Sequence, residues 1–454
     1  MRGADNLGFW LLLWALGVAI ITAAHWRRKL YGVGLVLGYL LNLSLIHFTG
    51  AAVYLNDDRH LYDPHDVVTG LRESTWGLLA FGFGSLFVAR AFLGMRRLNP
   101  NDRPYEMNLA LPKAYLVVGT ICYLALATFL KNVPTLSALI AAGQQVFLAG
   151  LCLLAWKAWK ENNRRGLIVV LIVAAVFPFL TMMFQGFIGF GAAAMAVVYV
   201  FVASLIRPRW KVLVAALVLT YLGLSVFVTY SQDRAEIREV VWGGQAVPER
   251  FERIYLTTVE IEWFDSGNPI HLEQLDRRLN QNHLVGAAVE QLGTTQQYGN
   301  GDTIAQSIAA IVPRFIWPEK DIEAGSGDLV SKYTGLEFNE STSVGIGHIL
   351  EFYVNFGSFG VVAGMMILGT AITVLDVLAA RRLAINDWRG FGPLFLVGVA
   401  FLHVGGSLVE LTSTAGASLV LVLVTNAFVF RFHSSKQREQ EQTRELAAPG
   451  VTLL

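Results

Sequence analysis

The chain has 454 residues, of which 54% are hydrophobic and only 15% are charged. Its many apolar runs approach the roughly 20 residues that cross a bilayer, which excludes an ordinary soluble protein and predicts an all-α, polytopic membrane protein. The formal net charge of +1 gives no argument for a nucleic-acid partner, and we expect none.

The apolar runs predict eleven membrane spans with one long polar interruption. The ninth run is too long for one perpendicular helix, so we expect that it either begins outside the bilayer or tilts. The predicted spans lie near residues 7–25, 31–55, 74–93, 114–131, 137–156, 167–185, 187–206, 212–230, 346–376, 391–410 and 413–431.

Lys and Arg residues concentrate in alternate short loops, for example Arg27–Lys29 and Arg207–Lys211. Under the positive-inside rule, this places the N-terminus and the long segment 231–345 outside and the C-terminus in the cytoplasm. The predicted organisation is therefore residues 1–230 with eight spans, 231–345 as a loop domain, 346–431 with three spans, and 432–454 as a tail.

Within the loop domain, residues 248–264 and 270–292 have helical apolar spacing, and residues 302–315 indicate a short helix that ends at Pro313. The following stretch, AAIVPRFIWPEK (309–320), combines cations, prolines and aromatic residues. Its Trp317 and Phe315 suit a position at the membrane interface.

The concentrated cations of this predicted outer segment are candidates for binding a lipid diphosphate. Arg suits bidentate phosphate recognition, and Lys supplies a point charge. The alternative is that they pair with nearby carboxylates on a solvated surface. These cations are Arg277, Arg278, Arg314, Lys320 and Lys332.

A second candidate site lies in STSVGIGHILEFYVNFGSFG (341–360), where the ninth span begins. His348, Glu351 and Asn355 are spaced three and four residues apart and share one helix face. Ionisable groups that enter a span are costly and are therefore candidates for function, here as proton acceptor or donor. The alternative is a polar cluster that ties the span to its neighbours.

Motifs for nucleotide or metal cofactors are missing from the sequence, including Walker, HExxH and cysteine ligand patterns. The two cysteines, Cys122 and Cys152, lie inside apolar runs and are expected to be core residues. We therefore expect no cofactor and no metal site.

The order of R-L-N, G-D-T, IVPRFIWPEK and EFYVNFGSFG, over roughly residues 275–365, resembles bacterial Wzy-type oligosaccharide repeat-unit polymerases. The related O-antigen ligases carry a loop His followed by Asn. His348 is reminiscent of theirs, but Ile349 stands where Asn is expected.

The resemblance implies a C-type, metal-independent glycosyltransferase of the bacterial inner membrane, with its N-terminus in the periplasm. The growing glycan on undecaprenyl diphosphate is transferred to the non-reducing end of a lipid-linked acceptor repeat unit, and a chain-length regulator is a possible partner. Arg314, Arg278, Lys320 and Arg277 would then hold the diphosphate.

The same resemblance assigns Glu351 or His348 as the base, with Arg314 also catalytic. By the same resemblance, the residues expected to contact glycan or lipid are Trp317, Phe315, Tyr298, Tyr333 and Asn355. Two alternatives stay open: a ligase-like transferase with a polyprenyl diphosphate donor, and a non-enzymatic transporter of lipid-linked sugars. A transporter would be expected to show internal repeats and broken helices.

Overall fold

All regular secondary structure that the computed structural model describes is helical. Within the part of the chain that it describes, eight helices are long and apolar enough to cross a membrane, so the chain is a multi-pass membrane protein. The structure describes residues 6–27, 32–55, 61–94, 105, 107–126, 134–206, 210–312, 317, 319, 322, 326–338 and 344–447.

The helices are numbered in chain order. They are α1 (Leu7–Arg27), α2 (Leu35–Val53), α3 (Pro64–Phe83), α4 (Ala89–Gly94), α5 (Ala110–Leu126), α6 (Pro134–Lys160), α7 (Arg164–Ala175), α8 (Phe177–Gln185), α9 (Gly189–Ile206), α10 (Trp210–Trp242), α11 (Val247–Val259), α12 (Pro269–Leu279), α13 (Asn282–Thr295), α14 (Asp302–Ala310), α15 (Ser326–Thr334), α16 (His348–Ala384), α17 (Trp388–Ala400) and α18 (Leu408–Ala447).

Most predicted spans coincide with these helices, but three spans besides the ninth are interrupted or shortened. A π-helical turn at Gly84–Val88 joins α3 to α4. A break beside Pro178 separates α7 from α8. The predicted span near 391–410 is a helix of only 13 residues, α17, and residues 401–407 continue as turns.

The segment predicted as an outer loop domain is built into the helix bundle. Its α12 and α13 form a hairpin whose tip, Asn280–Asn282, reaches the level of His47 in α2. Gln281 N donates to the Ile46 carbonyl, and Asn282 Nδ2 donates to the His47 carbonyl. His47 lies six residues before the end of α2, about 9 Å along its axis.

Glycines on the neighbouring helices make room for this hairpin. A Cβ at Gly50 would lie 2.2 Å from the Asn280 Cβ, and one at Gly70 would lie 1.9 Å from the Asn282 carbonyl oxygen. Gly286 of α13 approaches the Asp66 carbonyl in the same way, at 2.1 Å. The hairpin therefore depends on small residues in α2 and α3.

The ninth apolar run neither begins outside the bundle nor simply tilts: it folds back on itself. Phe356 (φ −143°, ψ 21°) and Gly357 (φ 62°, ψ −154°) interrupt α16 and divide it into a short arm (348–355) and a long arm (358–384). A Cβ at Gly364 would lie 2.4 Å from the ring of Phe352. In an unbroken helix, these two residues would be about 18 Å apart along the axis.

The fold-back sends the start of the short arm down beside the middle of the long arm. Ile349, Val361 and Met365 all surround the Cβ position of Gly77 in α3, at 2.6, 3.1 and 3.3 Å. His348 is therefore level with Met365, well inside the bundle. We call the end of the bundle where α2 ends and α3 begins the distal end.

Candidate functional site

The candidate site lies where the short arm of α16 meets the first turn of α18. His348 N donates to the Val404 carbonyl at 3.1 Å, and Leu408 N donates to Glu351 Oε2 at 2.6 Å. The predicted proximity of His348, Glu351 and Asn355 is confirmed, and all three side chains are completely buried. Gly345 permits this junction, because its Cβ would lie 2.0 Å from the Gly405 carbonyl oxygen.

The imidazole of His348 is held by an aromatic residue of α2. Its Nδ1 lies 2.9 Å from the Tyr39 hydroxyl, and the two rings are stacked with centroids 5.7 Å apart. Tyr39 in turn stacks on Phe81 at 4.6 Å. His348 Nε2 is buried and has no hydrogen-bond partner among the described residues.

The carboxylate of Glu351 is anchored through one oxygen only. Oε2 accepts the hydrogen bond from Leu408 N, at the positive end of the α18 dipole. Oε1 is buried and makes no regular hydrogen bond with any residue that the structure describes, although the Thr303 hydroxyl lies beside the carboxylate. Buried polar atoms normally have partners, so a free carboxylate oxygen here is a candidate proton acceptor.

Asn355 closes the site towards the distal end. Its Oδ1 accepts from Gly301 N at 2.9 Å, and its Nδ2 donates both to Thr303 Oγ1 and to the Glu351 carbonyl at 2.7 Å. Gly299 N adds a bond to the Val354 carbonyl at 2.8 Å. We call residues 298–303 the latch loop, because these bonds fix it over the short arm.

A cleft of about 280 Å³ opens on the far side of the latch loop. Two predicted contact residues, Tyr298 and Tyr333, line it together with Lys332 and Asp302. A Cβ at Gly299 would lie 2.8 Å from the Tyr333 hydroxyl and 3.2 Å from Asn355 Oδ1. The cleft and the buried carboxylate are thus separated by the latch loop and one helical turn.

The structure does not bring the predicted cations Arg277 and Arg278 to the cleft. Both are exposed on α12, beside the distal part of α2. Arg277 pairs with Glu273 one turn away, whereas Arg278 forms no ion pair within the described ranges. Trp317 is about half exposed (49%) and does not line the cleft.

Three residues of the predicted site lie outside the described residues: Arg314, Phe315 and Lys320. The residues just before them pack against α18 inside the helix bundle, whereas the sequence predicted a segment at the outer surface. The Ile311 carbonyl lies 2.3 Å from the Cβ position of Gly416, eight residues into α18. The stretch therefore begins beside α18, about 12 Å along its axis from the first turn.

The sequence-based reasoning missed Tyr39 and Thr303. Tyr39 lies in an otherwise apolar run, and its hydroxyl is the only polar side-chain group between Leu35 and Leu41. Thr303 belongs to the G-D-T motif, which was noted without a role. Within the described part of the chain, no cluster of three or more His, Cys, Asp or Glu side chains could hold a metal ion.

Comparison with known proteins gives one match. The model of the family described as "Domain of unknown function (DUF8712)" matches residues 87–384, about two thirds of the chain, so the chain belongs to that family. No curated protein and no solved structure matches. The matched region includes the α12–α13 hairpin, the latch loop and both arms of α16.

Proposed function

We propose that this member of the family is a lipid-linked glycan polymerase of the bacterial inner membrane, with the distal end of the bundle in the periplasm. The observation that carries the proposal is Glu351, a buried carboxylate with one oxygen anchored by a helix N-terminus and the other without a regular partner. It lies one turn below a cleft lined by tyrosines and a lysine. The resemblance to repeat-unit polymerases supports the same reaction.

In this proposal, a hydroxyl of the acceptor repeat unit attacks the anomeric carbon of the donor glycan. The new glycosidic bond forms as the bond from that carbon to the undecaprenyl diphosphate oxygen breaks. The hydroxyl proton passes to Glu351 Oε1, and undecaprenyl diphosphate leaves with the electron pair of the broken bond on its terminal phosphate oxygen. His348 is the second candidate for the base, because Nε2 has no partner among described residues.

The departing diphosphate would be stabilised by cations, and Lys332 is the predicted cation that lines the cleft in the described part of the chain. Arg278, which is exposed, and its neighbour Arg277 would contact the diphosphate only if it extends from the cleft towards α12. Arg314 and Lys320 remain candidates on the sequence alone. The glycan would lie in the cleft, where Tyr298 and Tyr333 offer rings for stacking against sugars.

The proposed reaction requires the site to open, because Glu351 is completely buried. The latch loop is the element that separates it from the cleft, and Asn355 holds that loop through side-chain hydrogen bonds. We therefore place substrate entry at the latch loop.

The proposal is tested with the full-length protein in detergent, given cognate lipid-linked repeat units and a chelator but no nucleotide. A product ladder is expected, and Glu351→Gln should reduce its rate about 10²–10⁴-fold, the contribution of a general base. Glu252→Gln is the control, because Glu252 is an exposed carboxylate of α11, a helix that packs on α8 and α10 rather than on α16. A parent protein that makes no ladder, or an unaffected Glu351→Gln variant, would reject the assignment.

A transporter of lipid-linked sugars is the second candidate, and the break at Phe356–Gly357 favours it. Discontinuous helices whose ends meet polar groups in mid-bundle are typical of secondary transporters. Reconstituted protein that moves a lipid-linked sugar across liposomes, with no ladder in detergent, would support this candidate. If a ladder appears only when lipid A core is offered, the protein is a ligase.

A further inference from the structure

The helix α11 has its polar and apolar faces reversed relative to a helix of a water-soluble domain. Its apolar side chains are exposed: Phe251 61%, Tyr255 57% and Val259 63%. One of its two arginines, Arg253, is turned inward and pairs with Asp233 at 3.0 Å. A solvated helix buries its apolar face instead.

The buried face of α11 is held to α10 by polar bonds. Thr257 Oγ1 donates to Asp233 Oδ2 at 2.6 Å, and Arg253 also reaches Glu236 at 2.9 Å. Ile254 is the one large apolar side chain of α11 that is buried. The orientation of α11 is therefore fixed by specific contacts, with the apolar face left outside.

The exposed apolar face continues onto a helix that is apolar enough to cross the membrane. Trp263, 58% exposed, stacks on Tyr221 of α10 with ring centroids 6.1 Å apart and planes 7° apart. The segment that leads to it follows α10, since Phe264 N donates to Ser225 Oγ at 3.0 Å. The neighbouring Leu217 of α10 is 72% exposed, as expected for a lipid-facing position.

We infer that Phe251, Tyr255, Val259 and Trp263, the α11 stripe, lie against phospholipid at the membrane interface. A mixed aromatic and aliphatic composition is typical of that depth. The exposed charges beside the stripe are acidic, namely Glu249, Glu252 and Glu260. This charge favours zwitterionic over anionic headgroups, in contrast to the basic interfacial helices that bind anionic lipids.

The stripe has a deep end and a shallow end. Trp263 is beside the apolar part of α10, whereas Glu252 lies among the exposed apolar residues of the first half of α11. A carboxylate is tolerated only where it reaches headgroups or water. The depth in the bilayer should therefore decrease from position 263 through 259 to 251.

The test uses spin labels on the full-length protein in phosphatidylcholine nanodiscs. The background carries Cys122→Ala and Cys152→Ala, the two native cysteines. Val259→Cys is the test position. Glu249→Cys is its control, because it is an exposed position in the first turn of α11, at the shallow end of the stripe.

Collision with oxygen, which partitions into lipid, is compared with collision with a water-soluble nickel chelate. Collisions with oxygen should be more frequent at position 259, and collisions with the chelate should be more frequent at position 249. Dominance of the chelate at both positions would place the stripe in water and overturn the inference. Low collision rates with both reagents at 259 would show that protein, such as a second copy, covers the stripe, and would also overturn it.

Discussion

Replacing Asn355 with alanine should release the latch loop without unfolding the bundle. The side chain makes three hydrogen bonds, to Gly301 N, Thr303 Oγ1 and the Glu351 carbonyl, and it is completely buried. Each bond contributes about 1 kcal/mol net. Two of these bonds, to Gly301 N and Thr303 Oγ1, hold the loop, so it should open more easily by about 2 kcal/mol, which corresponds to roughly a thirtyfold change in the opening equilibrium.

Amide hydrogen exchange of residues 298–303 measures this change directly. Thr303→Val removes one of the three bonds at nearly constant volume, so it should lower the protection by roughly tenfold or less. Helix α7 packs on α6, α8 and α9 rather than on α16 and serves as the internal control, with unchanged exchange. Equal protection of the loop in Asn355→Ala and the parent would refute the reasoning that these bonds close the site.

Three further predictions follow from single contacts. Tyr39→Phe removes the hydroxyl that contacts His348 and should slow polymer formation. Tyr115→Phe removes a buried hydroxyl that bonds to Asn426 and should leave the rate unchanged. Each variant should lose about 1–3 kcal/mol of stability in thermal unfolding. Gly70→Val should abolish the folded yield in detergent, because its Cβ would meet backbone at 1.9 Å, while Gly94→Ala, with nothing within 4 Å, should fold normally. The pKa of Glu262 is lowered by hydrogen bonds from the His271 and Gln232 side chains. The stabilisation that its charge gives is therefore present above the usual pKa of Glu and is lost as pH falls through the lowered value. A spin label at position 263 should become more mobile as the pH falls through that range, and a label of constant mobility would contradict this.

The spans were predictable because each apolar run is long enough to be recognised without its neighbours. The α12–α13 hairpin was not, since residues 270–292 have continuous helical spacing and the turn at Asn280–Asn282 is stabilised by groups of α2 and α3. A pattern within one segment cannot show that Gly50 and Gly70, more than 200 residues away, leave space for it.

The candidate site shows the same division between local and long-range information. The shared face of His348, Glu351 and Asn355 follows from their spacing, and the structure confirms it. The fold-back at Gly357 does not follow, because a glycine in an apolar run is equally compatible with close helix packing. Tyr39 was missed because its role arises only when the short arm of α16 reaches α2.

The surroundings of Glu351 are closed in different ways on its two sides, and this bears on the choice between the candidate functions. Towards the distal end, the latch loop is held by a few hydrogen bonds and lies next to a cleft. In the opposite direction, the long arm of α16 packs backbone to backbone on α3 and α4. There, a Cβ at Gly84 would lie 2.1 Å from the Met366 carbonyl, and one at Gly369 would lie 2.3 Å from the Phe81 carbonyl.

Helices packed this closely do not separate gradually, so opening that side would require breaking all the contacts between them. A transporter must open its site to both faces of the membrane in turn. A polymerase needs access from one face only, because its donor, its acceptor and its product all lie there. The asymmetric closure around Glu351 therefore supports the transferase over the transporter, and it predicts that the latch loop, not the long arm, exchanges amide hydrogens faster when lipid-linked substrate is added.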